Sequence, residues 1–182
     1  MALHILHLAN DFSGSRVYNQ LVQAIDLRGV QQTIFTTIRS EDGKGKNAVD
    51  FATDGSTIYY SDNWRPWHRA FFRLKTRSNY KHLLRSIDPK TITHVHAHTL
   101  FSDGVLALKL KKWMWHTWYI GWAVIQNADK VVCISPAHIK RVEAWRACPR
   151  EFASKAVNIP NGINSYWLEQ ISCDLKSHQR GD

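Results

Sequence analysis

A run of three histidines between Thr93 and Thr99 is the first place where side-chain types and spacing could do chemistry. Because successive side chains of a strand point to opposite faces, the alternation places His94, His96 and His98 on one face of a strand. Zinc binding is one interpretation, since His is a common zinc ligand. No cysteine and, apart from Asp103, no acidic side chain lies nearby in the sequence. We therefore predict that the site holds no metal.

His98 is the histidine that we predict to be catalytic, because it stands at the end of its strand. Ligands of open α/β sheets bind outside the carboxyl ends of the strands. A neutral imidazole at that edge can donate a hydrogen bond to a substrate hydroxyl or to a leaving phosphate. His94 and His96 are expected to be structural.

A glycine-bearing loop is the second candidate, and its residues are Ser13, Gly14, Ser15 and Arg16. It follows a short apolar strand and precedes a segment with helical spacing. The free N–H groups and the dipole of a helix N-terminus favour an anion, which predicts phosphate binding. The loop lacks both GxGxxG and GxxxxGK[ST], so an ordinary βα turn remains the alternative.

Two further segments carry residues of interest. Ser135 precedes Pro136 in the cap-then-proline order that opens a helix, and we predict Ser135 as a substrate-binding residue beside a helix N-terminus. The segment from Trp64 to Lys75 interleaves aromatic and basic side chains. It could stack on bases or lie in a membrane interface, and we favour a half-buried helix that covers the sheet.

The elements that must position these residues alternate between strands and helices along the chain. A βαβ unit opens the sequence, and β-branched, apolar segments recur between helical ones. This alternation predicts an α/β fold with a Rossmann-like open parallel sheet and helices on both faces. The predicted strands are Leu3 to Leu8, Thr33 to Ile38, Ser56 to Tyr60, Ile92 to His98, Lys130 to Ile134 and Ala156 to Ile159.

The composition limits the class of protein and its partners. The net charge is +9 at pH 7 with 182 residues, which favours anionic partners such as nucleic acid, an acidic membrane surface or a phosphorylated substrate. The three cysteines form no CxxC pair, which indicates a reducing, cytoplasmic compartment. No run has the 18 apolar residues of a membrane span, and the N-terminus has no basic region typical of a signal peptide.

Four motifs in this order resemble the N-terminal domain of family-four (group 1) retaining glycosyltransferases, which have the GT-B architecture. The loop at Ser13-Gly14 comes first. His94 to His98 is similar to the family's "VHAH" strand, and Ala128 to Ser135 is similar to its "ADxVxxxS" segment. Ile159 to Ile163 is similar to "IPNGV". Each motif is weak alone, but four in order over roughly residues 3 to 164 are fairly specific.

The resemblance implies transfer of a sugar from a nucleotide-sugar to a polysaccharide or lipid-linked acceptor, with no cofactor or metal. It implies that His98 contacts the transferred sugar and that Gly14 approaches the donor phosphates. It also marks Asn161 and Gly162 as substrate-binding positions. The alternative that we retain is a noncatalytic basic and aromatic module on an anionic membrane surface, with nucleic acid the less favoured partner.

The resemblance also indicates where the chain departs from the family. We predict an acceptor-side domain over residues 1–164, an internal deletion near 113–122 where four tryptophans cluster, and a poorly ordered tail over 165–182. The donor-binding domain of the family is not recognisable in the sequence. We therefore expect an enzyme that is partial or inactive alone, with a separate chain as the candidate source of the donor half and a cytoplasmic or inner-membrane peripheral location.

Overall fold

The computed structural model describes residues 3–111, 120–145 and 148–159. The chain divides into two compact units, Met1–Asn127 and Ala128–Asp182. Of the regions with predictions, most of the tryptophan-rich run and the tail over 165–182 lie outside the described residues. Among the described residues, no helix is both long enough and apolar enough to cross a membrane.

The first unit contains a parallel sheet of four strands in the order β3-β2-β1-β4. The strands are β1 (His4–Leu8), β2 (Gln31–Thr37), β3 (Thr57–Ser61) and β4 (His94–Ala97). Each corresponds to a strand predicted from the sequence, within two residues at either end. The predicted α/β fold with a Rossmann-like parallel sheet is confirmed.

Helices cover both faces of this sheet. They are α1 (Arg16–Asp26), α2 (Phe72–Ser86), α3 (Ser102–Lys111) and α4 (Ile120–Asn127). Leu6 and Leu8 of β1 pack with Leu83 of α2 and Leu106 of α3. On the opposite face, the core contains Ala9, Phe12, Val22 of α1 and Ile34 of β2. The period-two alternation along the strands therefore separates an α2/α3 layer from an α1 layer.

Four short 3-10 turns connect these elements, at Phe12–Gly14, Glu41–Gly43, Pro66–Arg69 and Pro89–Thr91. The contact between α3 and α4 depends on Gly104. A Cβ at this position would lie 2.8 Å from Val124 Cγ1 and 3.3 Å from the Thr99 carbonyl oxygen. Only a residue without a Cβ allows α4 to pack this closely against the start of α3.

The second unit contains a parallel pair of strands, β5 (Val131–Cys133) and β6 (Ala156–Asn158). Two helices lie between them in the sequence, α5 (Pro136–Glu143) and α6 (Phe152–Lys155). Both strands and the start of α5 after Ser135 follow the sequence predictions. Phe152, Cys133 and Pro149 are buried in this unit.

Candidate substrate site at the edge of the first sheet

Three imidazoles meet where β1 and β4 lie side by side. His7 is the register partner of His96, and His98 follows β4 directly. The strand order reverses here, because β2 and β3 lie on one side of β1 while β4 lies on the other. In open α/β sheets, this switch point at the carboxyl ends of the strands is where ligands bind.

The three rings are in direct contact. The His96 and His98 rings stack with their centroids 4.3 Å apart and their planes at 23°. The His7 ring centroid lies 5.3 Å from each of the other two. His7 Nδ1 and His98 Nε2 are 3.0 Å apart, which is a hydrogen bond whose donor depends on the tautomers. His94, the first histidine of the run, is exposed and lies outside this cluster.

Burial keeps these imidazoles uncharged. His7 has no exposed surface, and burial, with a smaller contribution from His96, lowers its pKa to about 4. Burial lowers the pKa of His98 to about 3, with further lowering by His96 and His7. The pKa of His96 is also lowered by burial. A charged imidazole would lack water and would repel its neighbours, so the neutral forms dominate near pH 7.

Gln32 of β2 lies beside His7 on the same face of the sheet. Its side-chain Nε2 donates to the Val22 carbonyl oxygen of α1 at 3.0 Å, which leaves Oε1 as the free end of the amide. The Gln32 side chain raises the pKa of His7, yet Gln32 Oε1 and His7 Nε2 are both buried without a partner of hydrogen-bond geometry. The Gln32 amide and the His7 ring are therefore adjacent but not hydrogen-bonded.

Tyr18 borders the cluster, and Asp103 lies near Tyr18 at the same edge of the sheet. The Tyr18 ring of α1 lies 4.4 Å from the His98 ring, centroid to centroid. The Asp103 carboxylate accepts from the Thr99 hydroxyl at 2.9 Å and from the Asn10 backbone N–H at 3.2 Å. Burial raises the pKa of Asp103 to about 6, although these two hydrogen bonds oppose the shift. Burial, Asp103 and Asp11 all raise the pKa of Tyr18.

The predicted glycine loop follows β1 at the same edge. Gly14 ends a 3-10 turn, and a Cβ there would lie 2.9 Å from Asp11 Oδ1. Ser15 caps α1, and its hydroxyl accepts from the Tyr18 N–H at 3.4 Å. Ser13 Oγ is buried without a hydrogen-bond partner among the described residues, and Arg16 is exposed. The close atoms belong to the exposed Asp11 side chain, which can turn away, so packing does not by itself require glycine here.

The remaining predicted residues lie in the second unit. Ser135 caps α5, and its hydroxyl accepts from the His138 N–H at 3.3 Å. Asn161 and Gly162 lie outside the described residues. The structure therefore groups His98 with the glycine loop in the first unit, and it gives no geometry between that group and the other predicted residues.

The aromatic and basic segment forms the 3-10 turn Pro66–Arg69 and the start of α2. Trp67, Phe71 and Leu74 are exposed, whereas His68 is buried. Lys75 is half-buried, and burial lowers its pKa while Asp103 raises it. Only the end of the segment is α-helical, from Phe72 onward, and Lys75 places a cation near the Asp103 carboxylate.

Sequence reasoning missed His7, Gln32 and Tyr18 as members of the site. His7 is the second histidine of a His-x-x-His spacing in β1, and its meeting with His98 depends on β1 pairing with β4. Because carboxyl ends of neighbouring parallel strands meet at one edge, a polar residue late in β1 was the available signal. No pattern in the sequence around Gln32 or Tyr18 predicts that these residues lie beside the histidines.

The sheet order, with a polar edge at its switch point, defines a Rossmann-like α/β domain. The profile of Glycosyltransferase Family 4 matches residues 14–166, which is well over half of the chain. The chain belongs to this family, and the match supports the predicted N-terminal domain. It supports a glycosyltransferase-related function and gives no support to the alternative of a noncatalytic membrane or nucleic-acid module. No curated protein and no solved structure matches the chain.

Proposed function

We propose that the first unit is the acceptor-side half of a retaining glycosyltransferase site. The reaction would transfer a sugar from a nucleotide-sugar to a polysaccharide or lipid-linked acceptor. The observation that carries the proposal is the neutral, half-buried His98 at the β1–β4 switch point in a chain of Glycosyltransferase Family 4.

His98 would hydrogen-bond a hydroxyl of the transferred sugar. Its Nε2 faces His7 Nδ1 at 3.0 Å, so one ring nitrogen is already held and the ring orientation is fixed. Gln32 is anchored on Val22 and lies beside His7. A movement of the His7 ring that closed a hydrogen bond to Gln32 Oε1 would set the tautomer of His7 and through it that of His98. Such pre-orientation reduces the entropy lost when substrate binds.

The donor phosphates would need positive charge. The chain's net charge of +9 and the half-buried Lys75 near Asp103 are compatible with an anionic donor or a lipid phosphate. Ser13 and Gly14 of the first unit would approach those phosphates. We assign the main donor contacts to a second domain, in cis or from a partner chain, and we expect little turnover from the 182 residues alone.

Thermal unfolding with nucleotide-sugars and candidate acceptors tests the proposal. Tryptophan fluorescence would follow the transition of the purified chain, and turnover would be followed as release of nucleoside diphosphate. A ligand at ten times its Kd stabilises the folded state by about 1.4 kcal/mol, which raises Tm by roughly 3–5 °C in a chain of this size. We expect one donor or acceptor to produce such a rise without turnover.

The matched variants are His98→Gln and His94→Gln, because both histidines belong to the same run and only His94 stands outside the cluster. We expect His98→Gln to remove the ligand-induced rise in Tm and His94→Gln to keep it. A rise that survives in His98→Gln would remove this residue from the site. Efficient turnover by the isolated chain would show that no second domain is required.

A further inference from the structure

We propose that His7, His96 and His98 form a binding site for one divalent transition-metal ion of the zinc class. They are the one group among the described residues in which three metal-ligating side chains converge, with one ligand nitrogen of each imidazole within 4.8 Å of the others. The inference does not rest on sugar transfer, for which we invoke no metal. It departs from our sequence prediction of no metal, which weighed zinc at His94, His96 and His98 only.

The fold holds the three ligands on rigid elements. His7 and His96 are paired residues on adjacent strands, and His98 lies two residues beyond His96 on the same face. A tetrahedral zinc ion with Zn–N bonds of about 2.0–2.1 Å places its ligand nitrogens about 3.3 Å apart. His7 Nδ1 and His98 Nε2 are already 3.0 Å apart. The three ligand nitrogens lie within 4.8 Å of one another, so the rings would rotate until separations of up to 4.8 Å close to about 3.3 Å around the ion.

Gln32 supplies the outer contact that metal-bound imidazoles usually have. A ligating histidine normally donates its second ring N–H to a carboxylate, a carbonyl or water, which fixes the ring and its tautomer. If His7 ligates through Nδ1, its Nε2–H is the remaining donor. That nitrogen and the neighbouring Gln32 Oε1 are both buried without a partner. Donation by Gln32 to Val22 already aligns the amide, so a small ring movement would satisfy both atoms.

The charge state and the access suit a metal. Imidazole ligates in its neutral form, and burial keeps all three rings neutral near pH 7. His96 and His98 are only half-buried, so an ion can enter from their side. Three histidines leave a fourth position for water or for a substrate oxygen, as in zinc sites that are open to exchange.

Metal titration of the full chain tests the site. After treatment with a chelator, the protein is titrated with CoCl₂ and the visible absorption of the cobalt ion is recorded. We expect one equivalent to bind with the intense bands of tetrahedral Co²⁺, and ZnCl₂ to displace it. His96→Gln should weaken binding at least tenfold, whereas the matched variant His94→Gln, on the same strand and exposed, should bind as the unaltered chain does.

Several outcomes would overturn the proposal. One is the absence of stoichiometric binding, and another is an equal loss of affinity in His94→Gln and His96→Gln. A cobalt–thiolate charge-transfer band would place the ion on a cysteine instead. If His96→Gln does not fold, as judged by circular dichroism, NMR of the unaltered chain decides. Three of the ten histidine imidazoles should respond to one equivalent of Zn²⁺, and a response confined to exposed histidines would refute the site.

Discussion

The β1–α1 and β5–α5 junctions share one local design but have different surroundings. Each has a strand, a short turn and a serine N-cap whose hydroxyl accepts from the N–H three residues on, Ser15 from Tyr18 and Ser135 from His138. The first junction lies beside buried His7 and Asp103. At the second, Pro136, Ala137 and His138 are exposed. The strand–cap–helix motif therefore positions a helix at both junctions, whereas the ionisable side chains beside the first junction come from the elements that pack around it.

The largest expected difference between the junctions is in the strands that lead into them. Leu8 of β1 is 1% exposed and packs in the α2/α3 core, whereas Val132 of β5 is 51% exposed. We expect Leu8→Ala to lower the free energy of unfolding by about 2–5 kcal/mol because it leaves a cavity in a packed core. Val132→Ala should cost less than about 1 kcal/mol.

Urea unfolding with linear extrapolation measures both changes. Val132→Ala is the matched control, because it also shortens an aliphatic side chain near the carboxyl end of a strand. Leu8 is the last residue of β1, and Val132 precedes the last residue of β5. Equal losses in the two variants would mean that β1 is no more rigidly packed than β5. Rigid packing of the sheet edge could then not explain why the candidate site lies at the first junction.

A second test concerns the buried carboxylate of the first junction. The pKa of Asp103 is raised by burial from 3.8 to about 6, so folding favours its protonated form. The stabilisation of the folded state by protonated Asp103 is fully present below pH 3.8 and is lost as the pH rises towards about 6. Above about pH 6 the free energy of unfolding no longer changes through this group. Relative to Asp103→Asn, the unaltered chain should lose on the order of 2–3 kcal/mol of stability across this window.

The measurement is the difference in free energy of unfolding between the two chains at several values between pH 3.5 and 7. Loss of one hydrogen bond to Thr99 or Asn10 in the variant adds a constant offset, so the pH dependence of the difference is the diagnostic quantity. A difference that does not change with pH would show that Asp103 titrates normally. The contrast with the solvent-exposed second junction would then disappear.

The fold was largely predictable from the sequence because its signals are local. β-Branched residues predict strands such as Thr33 to Ile38. The dipeptide Ser135-Pro136 predicts the start of a helix without reference to the rest of the chain. Both features appear in the structure near their predicted positions. The start of α2 at Phe72 was less evident, since its first turn lies inside the aromatic and basic segment.

Only the site residues that belong to a single strand segment could be predicted from the sequence. Alternation placed His96 and His98 on one face, and the structure stacks them. His7 joins them through the β1–β4 register, and Gln32 through the β1–β2 register. Registers depend on packing across the whole sheet, so no pattern within His4–Leu8 or Gln31–Thr37 reveals these contacts. The remaining histidine of the run, His94, is exposed at the start of β4.

The smallest effects are expected at the two caps, where the junctions should behave alike. Ser15→Ala and Ser135→Ala each remove a side-chain acceptor from a helix N-terminus, which costs typically about 1 kcal/mol. The acceptor distances of 3.4 and 3.3 Å are long, so we expect about 0.5 kcal/mol for each. Urea unfolding of both variants measures these costs.

The two caps should differ in what else they change. Ser15 holds the N–H of Tyr18, whose ring lies 4.4 Å from that of His98. Ser15→Ala should therefore shift the NMR signals of the His98 imidazole, while Ser135→Ala, in the second unit, should leave them in place. Unchanged His98 signals in Ser15→Ala would mean that the first helix is held by its packed face alone. Val22 would then be the main anchor of this helix, because it is fully buried against Ile34.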